Sequence, residues 1–83
     1  MKVTVTITEP ISNKSFDIQV DNKQRIKTTL NVLSENIADL QRLGEATGVR
    51  IKNSGRRISG NTTYEESGIY TGTELIAMIG KEG

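Results

Sequence analysis

The stretch Gly68-Ile69-Tyr70-Thr71-Gly72-Thr73-Glu74-Leu75-Ile76-Ala77-Met78-Ile79 decides how the chain is read. Two glycines bracket a turn, and from Leu75 to Ile79 the residues are almost continuously apolar. Such a run predicts a central strand with neighbours on both edges. Successive side chains in a strand point to opposite sides, so Leu75, Ala77 and Ile79 share one face while Ile76 and Met78 share the other. Upstream, residues 60–72 are polar and irregular, with Tyr64 and Ile69 as apolar pins. Thr63 and Glu66 stand in capping-box spacing, which predicts a single helical turn between them.

Further out, Val49 and Ile51 alternate with Arg50 and Lys52 before the Asn53-Ser54-Gly55 turn, and Ile58 lies in a very short extended piece. That is a hairpin with a weak far strand. At the N-terminus Val3, Val5 and Ile7 alternate with Thr4, Thr6 and Thr8; a turn-rich segment follows from Glu9 to Lys14, and then Phe16, Ile18 and Val20 alternate with Asp17 and Gln19. These two runs predict a first hairpin. Between the hairpins Ile26, Leu30, Leu33, Ile37 and Leu40 recur at spacings of 4, 3, 4 and 3, with Leu43 three further on. The pattern predicts one helix with one apolar stripe, capped at its start by Asp21 or Asn22.

Composition narrows what such a domain can do. The chain has 83 residues, 11 basic and 10 acidic, one Pro, and no Cys, His or Trp. A chain of this size makes a single domain, residues 1–83, that buries roughly 60 to 65% of its unfolded surface. Without Cys or His the usual ligands of zinc, copper, haem and iron–sulfur clusters are missing, as are disulfides and the side chain that titrates near neutrality. We therefore expect no enzyme, no cofactor and no metal. A net charge of +1 gives no global drive toward nucleic acid or anionic lipid. No apolar run spans a bilayer, and the alternating Met1-Lys2-Val3-Thr4 start is unlike a signal peptide, so the expectation is a cytoplasmic protein, monomeric or weakly dimeric, with a protein partner.

The order strand, strand, helix, strand, short strand, helical turn, strand, together with residues 49–58 and 62–75, resembles ubiquitin. The Gly-Ile-x-x-Gly-Thr-x-Leu element at Gly68 to Leu75 is the most specific part of the likeness. The resemblance implies an α+β class, β-grasp fold: a mixed sheet of four to five strands, its first and last strands parallel at the centre, one main helix packed on one face. Among ubiquitin-like proteins the chain is similar to the bacterial YukD group, which accompanies type VII (WXG100) secretion systems. That likeness rests on the length, the Lys2-Val3-Thr4-Val5 strand, the Ile26-Lys27-Thr28-Thr29-Leu30 helix start and the glycine turn.

Three features bear on function. Ubiquitin and the sulfur carriers of its fold end in Gly-Gly on a flexible arm; here the chain closes Gly80-Lys81-Glu82-Gly83, and Glu82 puts a charged side chain where a slim neutral one is required. A non-catalytic binding module is thus favoured over the alternative, a covalent modifier or sulfur carrier. Arg50, Lys52, Arg56 and Arg57 give residues 49–60 a charge of +4, while Glu65, Glu66, Glu74 and Glu82 against Lys81 give residues 61–83 a charge of −3. These basic residues also fit a plain solvated strand and loop. The resemblance further places Met78 on one apolar position of ubiquitin's receptor-binding patch, sets Ile11 in the loop that carries another, and replaces the third by Lys52. The expected partner-binding surface is Thr4, Thr6, Ile11, Arg50, Lys52, Ile76 and Met78. Glu65, Glu66 and Ser67 read as a solvated turn, since no base is present to activate the serine.

Overall fold

The computed structural model describes residues 1–79. The expectation about the Glu82-Gly83 ending lies outside those residues. Five strands form one sheet: β1 (Lys2–Glu9), β2 (Lys14–Asp21), β3 (Gly48–Ile51), β4 (Arg57–Ser59) and β5 (Glu74–Met78). Their order is β2-β1-β5-β3-β4. β1 and β5 run parallel, with Ile7 level with Leu75 and Thr8 with Ile76, and the apolar run of β5 occupies the middle of the sheet. Both hairpins form as their alternation predicts, β1 with β2 and β3 with β4, and β5 closes on β3 antiparallel. Gly55, at φ 75°, makes the turn between β3 and β4.

One face of the sheet is dry. Val3, Val5, Ile7, Val20, Val49, Ile58, Leu75, Ala77 and Ile79 are buried there with Ile26 and Leu30 of the helix α1 (Ile26–Asn36) and with Leu40 and Leu43 beyond it. Tyr64 and Ile69 are buried in the same core. The capping box forms in both directions: the Thr63 amide donates to Glu66 Oε1 at 3.1 Å and the Glu66 amide to Thr63 Oγ1 at 3.1 Å. Ser67, however, is buried rather than solvated, and its hydroxyl donates to the Thr63 carbonyl at 3.0 Å.

Two expectations about the helix need correction. The stripe from Ile26 to Leu43 is not one helix: α1 stops at Asn36, Ile37 is extended (φ −125°, ψ 114°), and residues Ala38–Glu45 follow as a 3-10 segment. Side chains help the last turn to end, since Ser34 Oγ donates to the Asn31 carbonyl at 2.7 Å and Asn36 Nδ2 to the Val32 carbonyl at 2.7 Å. An unbroken helix over residues 26–43 would be about 27 Å long, nearly the whole 28 Å width of the molecule. The bend lets Leu40 and Leu43 turn back into the core, both fully buried, while Leu33 and Ile37 are half-buried. Lys27 secures the far end, its ammonium donating to the Gly44 carbonyl at 2.9 Å and the Ala46 carbonyl at 2.5 Å.

Nor do Asp21 and Asn22 cap α1. Arg25 holds the cap position without a side-chain bond, and the first amides are satisfied by the chain opposite: Ile26 donates to the Thr62 carbonyl at 3.0 Å and Lys27 to the Gly60 carbonyl at 2.8 Å. A helix start docked on another backbone has no use for a side-chain cap. Asp21 instead builds the preceding turn, accepting from the Lys23 amide at 2.9 Å. That bond leads the influences that hold its carboxyl below the ordinary range.

Candidate functional site

The face of the sheet turned away from α1 is covered by no other element among the described residues, and its side chains fall into cross-strand rows. The central row runs Arg57 (β4), Arg50 (β3), Ile76 (β5), Thr8 (β1), Ser15 (β2). One step toward the start of β5, Glu74 stands beside Thr6 and Asp17. One step the other way, Met78 stands beside Gly48 and Ser59. Continuing the parallel register brings Met78 level with the loop after β1, the loop that carries Ile11.

Backbone pairing decides which of these side chains touch. In an antiparallel ladder the pairs alternate, and those that do not exchange backbone hydrogen bonds hold their side chains closest, with Cα atoms about 4.5 Å apart. In the first hairpin the Asn22 amide donates to the Met1 carbonyl at 2.8 Å, so counting in steps of two makes Thr6/Asp17 and Thr8/Ser15 close pairs. Both are hydrogen-bonded through their side chains, at 2.5 Å and 2.7 Å. In the second hairpin the Ile51 amide donates to the Arg56 carbonyl and the Gly60 amide to the Thr47 carbonyl, so Arg50/Arg57 is the close pair. These are two cations side by side.

The seven expected residues therefore do not form one patch. Arg50, Ile76 and Met78 are neighbours and half-buried. Ile11 is 58% exposed in the adjacent loop. Lys52 lies beyond the end of β3, at the margin, where its ammonium meets Glu74 Oε1 at 3.2 Å. Thr6 serves the Asp17 pair, and Thr4 sits further along β1, where its amide donates to Thr71 Oγ1 at 3.1 Å. Sequence reasoning missed Thr8 and Arg57 as members of the central row. Alternation gives the face of Thr8 but not that of Arg57, which the sequence sets in a loop and the structure sets in β4; cross-strand partners follow from register.

The loop carrying Ile11 is held by an unexpected residue. Glu9 is 1% exposed, and its carboxylate accepts from the Ile11 amide at 2.9 Å, the Ser12 amide at 2.6 Å and the Ser12 hydroxyl. Burial alone pushes this carboxyl up; the hydrogen bonds from Ser12 and Ile11, with the Arg42 charge, outweigh it and hold Glu9 below the ordinary carboxylate range. Ile11 is thus presented on a stapled loop.

Other places offer less. A groove of about 490 Å³ between α1 and β2 is lined by Ile18, Val20, Thr28, Val32 and Leu33, with Lys2 and Asp21 among its polar residues. Burial pushes the Tyr64 phenol up, the nearby Thr29 hydroxyl opposing. The Tyr64 oxygen has no partner in hydrogen-bond geometry among the described residues, and Thr29 Oγ1 accepts from Gln24 Nε2 at 2.6 Å. Among the described residues no three carboxylates gather, and no helix is long and apolar enough to cross a membrane.

No family model matches the sequence, and no curated protein matches it at a significant level. Solved structures do. A de novo design based on ubiquitin is 21% identical with a TM-score of 0.76, covering 99% of this chain and 93% of its own. Ubiquitin of Caldiarchaeum subterraneum is 14% identical with a TM-score of 0.72, covering 100% and 99%. The EccD5 ubiquitin-like domain of Mycobacterium xenopi is 18% identical with a TM-score of 0.70, again covering 100% and 99%. The fold is the ubiquitin-like β-grasp.

Proposed function

We propose that the chain is a non-catalytic protein-binding module that docks on a larger protein through the open face of its sheet, as a cytosolic accessory component of a bacterial type VII (WXG100) secretion system. The observation that carries the docking surface is Ile76 and Met78, half-buried at the centre of a face that no other element covers among the described residues, beside Arg50 and the exposed Ile11. Apolar side chains in such a place supply affinity when a partner dries them, and charges at the rim supply orientation. The secretion context is supported by the likeness to the YukD group in the first strand, the helix start and the glycine turn, and by the shared fold of the EccD5 domain.

The test is recovery from the native host. The wild-type chain should co-purify with components of the secretion apparatus, and Ile76→Ser with Met78→Ser should lose them while circular dichroism shows the variant folded. Each anchor is worth ~1 to 3 kcal/mol when fully buried by a partner, so the double loss is large. A folded double variant that still recovers those components and supports secretion removes this face as the working surface.

A further inference from the structure

We infer that the open face is built for an acidic segment of a protein partner, one that sets two carboxylates on Arg50 and Arg57 beside an apolar side chain on Ile76 and Met78. The inference rests on the open-face reading and adds the chemistry of what binds there. Its ground is the close pairing of Arg50 with Arg57 across β3 and β4. Like charges directly opposite on neighbouring strands are destabilising, whereas two close pairs of the first hairpin on this face, Thr6/Asp17 and Thr8/Ser15, are complementary.

Among the described residues neither guanidinium has an ion pair or a hydrogen bond. Glu74 is taken by Lys52, Asp39 by Lys14 and Glu45 by Arg42, while Arg56, next in the chain, donates to the Ser67 carbonyl. Two planar forks on directly opposed residues can each take a carboxylate in bidentate fashion.

A nucleic-acid backbone fits less well. Glu74, on the strand next to β3, puts a carboxylate one row from the pair, and the face carries apolar side chains where stacking aromatics would be needed.

The test is selection of a displayed random heptapeptide library on the immobilised full chain, in parallel with Arg50→Glu/Arg57→Glu and with Ile76→Ser/Met78→Ser. We expect enrichment of peptides with two Asp or Glu next to an apolar residue. Their affinity should fall at least tenfold for the arginine variant and weaken with added salt, and selection on that variant should turn toward Lys and Arg. Enrichment of uncharged or basic peptides, or none, overturns the inference. So does a mixed-sequence single-stranded DNA that binds the wild type and not the arginine variant, or self-association in sedimentation that Glu65→Lys/Glu66→Lys abolishes. Acidic peptides that bind the folded serine variant undiminished overturn the open-face reading itself, which separates the two failures.

Discussion

The two hairpins use the same close-pair positions for opposite ends. On β1 and β2, Thr6 with Asp17 and Thr8 with Ser15 satisfy one another, and the buried Glu9 carboxylate ties down the loop between the strands. On β3 and β4 the equivalent position holds Arg50 against Arg57, and the backbones approach so closely that only glycine fits at Gly48, where a Cβ would stand 2.1 Å from the Ile58 carbonyl oxygen. The first hairpin is internally complete. The second holds its strands by backbone and core contacts and leaves its surface charge for something else. Cross-strand complementarity on one hairpin and its absence on the other, within one sheet, is what marks the β3–β4 end as the place to look for a partner.

The contrast can be broken by mutation. The largest effect should come from Gly48→Ala, which drives a methyl into backbone and should cost about 3 kcal/mol or more in urea unfolding; a silent change would mean β4 is free to move away, and the closeness assigned to the second hairpin would be wrong. Next, Glu9→Gln should cost about 1.5 to 3 kcal/mol at neutral pH, since hydrogen bonds to a buried charge are the strong kind. The Glu9 carboxyl is lowered in the folded chain from its ordinary 4.5. Its contribution is therefore fully present above that value and is lost as pH falls through the lower folded one. Acid unfolding of wild type and variant should accordingly converge below pH 4.5.

Smaller effects sharpen the comparison. Arg57→Glu should stabilise by about 0.5 to 1 kcal/mol, turning a repulsive close pair into an attractive one, and the gain should shrink in salt. A loss of stability would show that the two arginines do not oppose each other. Thr8→Ala, removing one exposed hydroxyl pair, should cost only about 0.5 kcal/mol, read as a small shift of the midpoint at unchanged slope.

Much of this fold was legible. Period-two runs in β1 and β2 identify strands and buried faces, because burial of one face forces alternation, and the continuous apolar run of β5 marks a central strand. The helix end was not: Leu40 and Leu43 keep their three-and-four spacing whether α1 continues or bends at Ile37, since both routes must deliver them to the same core. The cap was misread because Ile26 and Lys27 find acceptors at Thr62 and Gly60, remote in sequence. The site was half legible for a related reason. Ile76 and Met78 follow from alternation, whereas the pairing of Arg50 with Arg57, the sequestration of Lys52 by Glu74 and the separation of Thr4 from the rest depend on register.

The parallel pairing of β1 with β5 also sets a timetable. Thr6 waits for Glu74, a separation of 74 − 6 = 68 residues, and at ordinary rates of synthesis that is about 3 to 14 seconds. During that interval a first hairpin already formed would show its inner edge, with Val3, Val5 and Ile7, to anything nearby. β5 enters between two hairpins and joins them, so its arrival converts a pair of local structures into one cooperative sheet. A nascent chain stalled before Leu75 would therefore carry an unfinished edge rather than a smaller domain, and would be a substrate for chaperones or proteases until those last residues are made.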